Sequence, residues 1–227
     1  KGVIQNYTKC IEFLERSANL NNLYAFIKLG LSYEEGEIVS QNYKKAFECY
    51  QKAAGLKGSY GYINMGIAYE YGRGIEQNYM KAIECYQNAA NLGNSYAFIQ
   101  LGLLYESGKG VEQNYKKAFE YYQKSANMGN SNAYILLAIS FEKGKGVEQN
   151  FIKAIEYYER PSKLHNQHPF IIVGNSYDDG RGVEQKSGKN VDYYQKGSTL
   201  DSSYGLVNIA LAYEDGTNVD KNLSKAF

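Results

Sequence analysis

The sequence repeats itself with a period of 36 residues, and this period constrains the fold more than any other feature. The string EQNYKKAFEYYQ at 112–123 has close copies, EQNYMKAIECYQ at 76–87 and EQNFIKAIEYYE at 148–159. Weaker copies in the same register begin at residues 4, 40 and 184, without insertion or deletion. A period of this size is typical of arrays in which small units stack on their neighbours, and 227 residues hold about six such units.

Each unit is predicted to form two helices, which we call helix A and helix B. In the unit that starts at Ser59, helix A covers 59–70 with Ser59 as its N-cap, and Gly72 and Gly74 form the turn that follows. Asn78 is the predicted N-cap of helix B. Its equivalents in other copies are Asn42, Asn114 and Asn150. Because one such pair cannot bury its apolar faces alone, successive pairs are expected to stack into an all-α solenoid.

The composition excludes several classes of function. The chain has 25 basic and 24 acidic residues and a net charge of +1, which gives no electrostatic footprint for nucleic acid. No apolar run approaches the 18 or so residues of a membrane span, so membrane insertion is not predicted. Three cysteines cannot form a disulfide framework, and free thiols favour a reducing, cytoplasmic location.

Aligning the copies gives columns of equivalent positions, and several of these columns have a structural interpretation. A small residue in the middle of helix A, such as Gly66, indicates close approach of helix B. Tyrosines in both helices, such as Tyr69 and Tyr86, are predicted to lie in the core with their hydroxyls at its rim. A column of lysines, such as Lys81, is followed three residues later by a column of acidic residues, such as Glu84. This spacing predicts ion pairs on the outer face of helix B.

The columns resemble the Sel-1-like repeat, a relative of the tetratricopeptide repeat with a slightly longer unit. In one copy the residues that carry the resemblance are Ala97, Leu101, Gly102, Tyr105, Gly108, Gly110, Val111, Lys117, Ala118, Tyr122, Lys124, Ala126 and Gly129. The resemblance covers the whole chain and implies a right-handed α/α superhelical solenoid of about six 36-residue repeats. It also implies a non-catalytic adaptor that gathers other proteins into complexes.

Both ends of the chain fall inside a repeat. Lys1 matches the middle of a turn, and Phe227 matches a position inside helix B. A solenoid normally ends in polar capping repeats. We therefore expect residues 1–227 to be a single array that belongs to a longer protein.

The candidate binding surface is the side of helix A that lines the concave face of tetratricopeptide-repeat proteins. By that analogy a variable polar column, an acidic column and an aliphatic column would face a ligand. The candidate peptide-binding residues from the first two are Lys28, Asn64, Gln100, Asn208, Glu70, Glu106 and Glu142. Amide side chains can bond an extended backbone because they both donate and accept, and an acidic column favours a basic partner. The alternative is a solvated helix end.

Copies five and six depart from the pattern over residues 161–190. Pro161 falls well inside helix B, where it lacks an N–H and clashes with the preceding turn, so this helix is expected to kink or stop. Pro169 falls near a helix start, where proline is tolerated. Asn190 replaces an alanine of helix B. We expect this segment to be hinge-like and the most distorted part of the array; the alternative is drift in a tolerant array.

No cluster of residues predicts catalysis, a cofactor or a metal site. His165 and His168 have no obvious third ligand except Asp178 or Asp179. Cys49 and Cys85 lie one repeat apart, which is too far for a disulfide. The glycine-containing turns lack the third glycine and the preceding strand of a dinucleotide site. The chain is therefore not expected to be an enzyme.

The sequence predicts a non-catalytic scaffold that binds a polypeptide on the concave helix A face. The partner would be a protein or peptide, and not nucleic acid, a membrane or a small-molecule cofactor. One alternative is a regulatory or targeting arm of a larger signalling enzyme, such as a kinase, whose catalytic domain lies outside this sequence. Another is a structural spacer with no ligand in its groove.

Overall fold

The computed structural model describes residues 7–160, 168–181, 188–199 and 203–215, and every regular element in those ranges is a helix. The chain divides into two compact units, residues 1–114 and 115–227. In both units helix B and helix A alternate along the described chain. The predicted all-α class is confirmed for these residues.

Over its described residues, 7–114, the first unit contains three helices of the B type and three of the A type. The B helices are α1 (Tyr7–Asn19), α3 (Tyr43–Gly55) and α5 (Tyr79–Asn91), and the A helices are α2 (Leu23–Glu35), α4 (Ser59–Tyr71) and α6 (Ser95–Ser107). Within this unit each helix packs against its neighbours in the sequence, from the α1–α2 pair to the α5–α6 pair. This is the nearest-neighbour packing that a repeat array requires.

The second unit has the same alternation. Its B helices are α7 (Tyr115–Asn127), α9 (Phe151–Glu159) and α11 (Lys189–Ser198), and its A helices are α8 (Ser131–Lys143), α10 (His168–Asp178) and α12 (Ser203–Asp215). Most helices of the two units have 13 residues, whereas α9 has nine, α10 has 11 and α11 has ten. The shortened helices fall in the copies whose sequences depart from the pattern.

The glycine in the middle of helix A is explained by a tyrosine ring of helix B. A methyl group placed on Gly66 would lie 2.4 Å from Cε1 of Tyr86, and one placed on Gly174 would lie 2.3 Å from Cε1 of Tyr194. The B-helix tyrosines of this column are at most 2 % exposed. The close approach of the two helices and the core position of the tyrosines, both predicted from the sequence, are confirmed.

Asparagine side chains begin the B helices as predicted. Oδ1 of Asn42, Asn78 and Asn150 accepts a hydrogen bond from the backbone N–H three residues later, at 2.9–3.0 Å. The prediction for α4 is wrong by one residue, because Gly58 is the N-cap and Ser59 is the first helical residue. The cap of α4 has no side-chain hydrogen bond, so the backbone geometry of Gly58 alone defines this start.

The second glycine of the turn satisfies two requirements at once. Gly74 has φ +72°, in the left-handed region that L-residues with a side chain avoid. A methyl group on Gly74 would also lie 2.3 Å from the backbone carbonyl carbon of Tyr43, at the start of α3. The turn of one repeat therefore packs directly on the preceding B helix.

The irregular segment is only partly within the described residues. Helix α9 ends at Glu159, two residues before Pro161, which lies outside the described residues, as does His165. Pro169 is the second residue of α10, in agreement with the predicted position near a helix start. Asn190 lies fully buried in α11. The hinge expected over 161–190 stays a prediction.

Candidate functional site

Helix A presents one row of side chains to solvent, which we call the helix A stripe. In α4 the row contains Tyr60, Asn64, Ile67 and Tyr71, whose spacing of three and four residues places them on one face. Tyr60 is 63 % exposed and Tyr71 is 59 % exposed, whereas Asn64 and Ile67 are half-buried. The stripe thus combines aromatic, amide and aliphatic groups.

The stripe recurs on the other A helices of the first unit. The equivalent residues are Tyr24, Lys28 and Leu31 on α2 and Tyr96, Gln100 and Leu103 on α6. Asn94 Nδ2 donates to Ser59 Oγ at 3.2 Å, which brings the beginnings of α4 and α6 into contact. The structure therefore places Asn64 and Gln100 on neighbouring helices, in equivalent positions of adjacent rows.

The predicted polar column differs in exposure from one copy to the next. Lys28 is exposed and its Nζ lies 5.3 Å from the centre of the Tyr24 ring, while Asn64 and Gln100 are half-buried. In the second unit Asn208, on α12, is half-buried, and its Nδ2 donates to Oδ1 of Asn175 at 3.3 Å. Lys28, Asn64 and Gln100 belong to the first unit, and Asn208 belongs to the second.

The acidic column lies beside the stripe and points towards helix B. The Tyr86 hydroxyl donates to Oε2 of Glu70 at 2.9 Å, and the Tyr158 hydroxyl donates to Oε2 of Glu142 at 2.8 Å. Glu70 is buried, whereas Glu106 and Glu142 are half-buried. Two of the carboxylates predicted to face a ligand, Glu70 and Glu142, thus also hold tyrosines of the core.

Sequence reasoning missed this tyrosine–carboxylate contact, although the pattern contained a signal. The hydroxyl and the carboxylate are separated by 16 residues in each pair, and both columns run through the array. Burial, followed by the charge of Glu70 and the hydrogen bond to it, raises the pKa of Tyr86 well above its ordinary value. Burial and the bond to Glu142 raise the pKa of Tyr158 in the same way.

An arginine of the chain reaches one member of the acidic column. Nη1 of Arg73, from the turn after α4, lies 2.6 Å from Oε1 of Glu34, while the Tyr50 hydroxyl donates to Oε2 of Glu34 at 2.6 Å. The guanidinium also lies 5.3 Å from the centre of the Tyr71 ring. Glu34 therefore has both oxygens engaged by the chain itself.

The lysine column of helix B contacts aromatic rings of helix A. The Nζ atom lies 5.2–5.5 Å from a ring centre in the pairs Lys45–Tyr33, Lys81–Tyr69, Lys153–Phe141 and Lys189–Tyr177. Among the described residues, none of these four lysines forms the predicted ion pair with the acidic residue three positions later. The prediction is wrong there because an ammonium group over an adjacent ring is attracted without leaving the helix surface.

The α10–α11 pair contains a polar cluster that no other described pair has in the same columns. The Tyr194 hydroxyl donates to Oδ1 of Asn175 at 2.9 Å and lies 3.5 Å from Oδ2 of Asp178. Asn190 Nδ2 donates to Oδ1 of Asp178 at 3.1 Å, but Oδ1 of Asn190 is buried without a partner. Asp178 is one methylene shorter than the glutamate of other copies. The amide of Asn175 accepts the hydrogen bond from the tyrosine hydroxyl that the glutamate accepts in those copies.

The three cysteines are free thiols that differ in burial, from exposed Cys10 to buried Cys85. Burial raises the pKa of the Cys85 thiol to about 12, so this group is protonated at neutral pH. Cys49 lines an open depression of about 300 Å³ between α1, α2 and α3, and burial raises the pKa of its thiol also. Over the described part of the chain, no three His, Cys, Asp or Glu residues are grouped as metal ligands. No described helix is long and apolar enough to cross a membrane.

Pairs of helices joined by glycine turns and repeated every 36 residues define an α-solenoid repeat protein. The model of the Sel1 repeat family matches residues 1–22, 25–57, 59–94, 95–130, 131–162 and 203–227. The chain belongs to the Sel1 repeat family. Proteins of this family generally act as non-catalytic scaffolds for interactions between proteins. The comparison with curated proteins gives no match.

Solved structures of similar fold cover nearly the whole chain. A protective antigen of uropathogenic Escherichia coli is 24% identical with a TM-score of 0.85; the match covers 95% of this chain and 46% of the antigen, so the chain spans less than half its length. A Sel1 repeat protein from Oxalobacter formigenes is 26% identical with a TM-score of 0.82, over 97% of this chain and 90% of that protein. An immunity protein from Pseudomonas aeruginosa is 20% identical with a TM-score of 0.59, over 88% and 76%. These likenesses confirm the predicted solenoid fold.

Proposed function

We propose that this protein is a non-catalytic scaffold that binds a polypeptide on the helix A stripe. The observation that carries the proposal is the row of exposed tyrosines on successive A helices, of which Tyr24 is 64 % exposed and Tyr60 is 63 % exposed. Single exposed apolar residues are normal on a protein surface, but an aligned row is not. Tyrosine is enriched at protein interfaces, where its ring buries a large area and its hydroxyl keeps a polar contact.

The polar column supplies the groups that would recognise a partner. Lys28, Asn64 and Gln100 stand at one position of three otherwise similar helices, so the copies differ where a partner would make specific contacts. An amide side chain can donate to a backbone carbonyl and accept from a backbone N–H. These side chains lie next to exposed tyrosines, which supports an extended polypeptide as the ligand.

The acidic column favours a partner with positive charge. Glu106 in the first unit and Glu142 in the second are half-buried, so the field of each carboxylate is less screened than that of a fully exposed one. Glu70 is buried and bonded to Tyr86, so it contributes through its charge more than through direct contact. We therefore propose a basic polypeptide, and the free thiols of Cys10, Cys49 and Cys85 favour a reducing, cytoplasmic compartment for the complex.

The test is a comparison of three purified forms of the protein as baits in extract from the source cells. The first is the wild type, and the second carries Asn64→Ala, Gln100→Ala and Glu106→Ala on helix A. The third carries Gln51→Ala, Glu84→Ala and Gln87→Ala, which remove similar groups from exposed positions of helix B. Circular dichroism melts establish that all three are folded.

We expect the wild type and the helix B variant to recover the same partner, and the helix A variant to recover about tenfold less of it. A loss of this size corresponds to one or two interface contacts of ordinary strength. The same partner list at the same abundance for all three baits would contradict binding on the stripe and favour a structural spacer.

A further inference from the structure

The first unit contains a bound guanidinium of its own. Arg73 Nη1 lies 2.6 Å from Oε1 of Glu34, and its Cζ lies 5.3 Å from the centre of the Tyr71 ring. Tyr50 donates to the other oxygen of Glu34, which fixes the carboxylate in place. A charged hydrogen bond combined with contact over an aromatic face is the geometry that arginine side chains favour.

The same carboxylate and hydroxyl are present in the second unit. Glu142 occupies the position of Glu34 at the end of helix A, and the Tyr158 hydroxyl donates to its Oε2 at 2.8 Å. Glu142 is half-buried, which allows access from solvent and weakens screening. Among the described residues, no cation of the chain lies within ion-pair distance of this carboxylate.

The arginine that corresponds to Arg73 is held elsewhere. Arg181 follows Glu142 by 39 residues, as Arg73 follows Glu34, but its Nη2 pairs with Oδ2 of Asp179 at 2.5 Å. Asp179 stands where the first unit has Tyr71. The substitution of an aromatic ring by a carboxylate thus provides Arg181 with a partner in its own turn.

We infer that Glu142, positioned by Tyr158, is a binding site for the guanidinium of an arginine in a partner polypeptide. The inference rests on the proposed function, since it specifies which side chain the partner polypeptide presents to the acidic column. Charge complementarity favours a cation at this carboxylate, and the chain itself shows a guanidinium seated on the equivalent one.

Arginine fits this site better than lysine does. Lys109 follows Glu70 by the same 39 residues, yet it does not pair with Glu70, and its Nζ lies 5.7 Å from the centre of the Tyr79 ring. A guanidinium offers several donors in a planar fork, whereas an ammonium offers a point charge. The partner is therefore a segment that carries arginine.

Removal of Arg73 should create a second site of the same kind. Without its guanidinium, Glu34 would keep the hydrogen bond from Tyr50 and would present the same two groups as Glu142. The Arg73→Ala protein should therefore bind one arginine side chain at Glu34 and one at Glu142, whereas the wild type binds one at Glu142 only.

The test measures fluorescence anisotropy with a labelled hexapeptide of alternating arginine and glycine, at low ionic strength, on the full chain. We expect Glu142→Gln to weaken binding about tenfold, because glutamine can still accept from Tyr158 but has lost the charge. Glu156→Gln, the same charge change at an exposed position of α9, is the matched control and should change affinity less than about twofold. Arg73→Ala should raise the binding capacity.

Three outcomes would overturn the inference. The first is an equal loss of affinity from Glu142→Gln and Glu156→Gln, and the second is equal affinity for the lysine–glycine and arginine–glycine hexapeptides. The third is equal binding of free arginine by the wild type and Glu142→Gln, together with no gain in binding capacity from Arg73→Ala. A partner that depends on Asn64 and Gln100 but not on Glu142 would leave the proposed function intact and remove only the arginine site. A partner that depends on neither would remove both.

Discussion

At the scale of single residues, one contact accounts for three columns of the array. The ring of Tyr86 rests against Gly66, where a methyl group would lie 2.4 Å from the ring, and its hydroxyl reaches the carboxylate of Glu70. A buried carboxylate is stable only when it receives hydrogen bonds, so the hydroxyl provides what burial removes. The contact therefore explains why a small residue, a tyrosine and an acidic residue repeat together in these three columns.

Replacement of Tyr86 by phenylalanine tests the value of this contact. The variant keeps the ring on Gly66 but leaves the buried Glu70 without its donor, so we expect the free energy of unfolding to fall by about 1–3 kcal/mol. Tyr60→Phe removes a hydroxyl from an exposed ring and should change the free energy of unfolding by less than about 0.5 kcal/mol. Urea denaturation followed by circular dichroism measures both.

The pH dependence of the same pair provides an independent readout. The folded-state pKa of Tyr86 is raised above its unfolded value of about 10, so the stabilisation is fully present below pH 10 and is lost as pH rises further. Above pH 10 the wild type should lose stability faster than Tyr86→Phe, by up to about 1.4 kcal/mol per pH unit. Parallel pH slopes for the two proteins would contradict a buried, protonated Tyr86.

At the scale of helices, the sequence was sufficient wherever a signal is local. The asparagine caps of α3, α5 and α9 and the glycine turns were predicted because each depends on residues within one turn of chain. The start of α4 was misplaced by one residue, because Gly58 can begin a helix by backbone geometry alone. Side-chain contacts between helices were harder to predict, since they depend on how the helices pack.

The lysine and glutamate columns show this limit. Spacing along one helix predicted an ion pair between Lys81 and Glu84, and analogy with tetratricopeptide repeats predicted a ligand-facing carboxylate at Glu70. In the folded protein Lys81 lies over the Tyr69 ring and Glu70 bonds to Tyr86, both on a different helix. The signal for these contacts in the sequence was a pair of constant offsets between columns: 12 residues from the aromatic ring to the lysine, and 16 residues from the carboxylate to the tyrosine.

The sequence predicts that Pro161 limits the length of α9 in the fifth copy. The equivalent helix α5 has 13 residues, whereas α9 stops at Glu159, two residues before Pro161. In Pro161→Ala we expect the exchange of the backbone amides of 160–163 to slow about tenfold or more, because proline inside a helix costs about 3 kcal/mol. Hydrogen exchange read by mass spectrometry measures this change.

A second proline serves as the control for that experiment. Pro169 is the second residue of α10, where the missing N–H would have no partner in the helix. Pro169→Ala should therefore leave amide exchange in α10 nearly unchanged. Similar gains from both substitutions would mean that α9 ends for a reason other than Pro161.

At the scale of the whole molecule, the energetics should follow from the way the helices pack. Each described helix packs on the helix before it and the helix after it in the sequence within its unit. The stability of such an array is close to a sum over repeats and the interfaces between neighbours. A defect in one helix pair is therefore expected to lower stability locally and not across all 227 residues.

Gly66→Ala tests this locality, because its methyl group would lie 2.4 Å from the Tyr86 ring. The fourth copy carries Ala138 in this column and still forms the Tyr158–Glu142 bond, so a shifted ring can fit. We expect a loss of about 1–3 kcal/mol.

In Gly66→Ala, amide exchange should become faster in α4 and α5 and stay unchanged in α10 and α11. In Gly174→Ala, exchange should become faster in α10 and α11 and stay unchanged in α4 and α5. In Gly55→Ala a methyl group would meet no atom within 4 Å, so amide exchange should not become faster in either pair of helices. Equal acceleration in both regions from Gly66→Ala would show that the chain unfolds as one cooperative body. The additive description of the array would then fail, since a defect in one pair of helices would be shared by pairs that it does not touch.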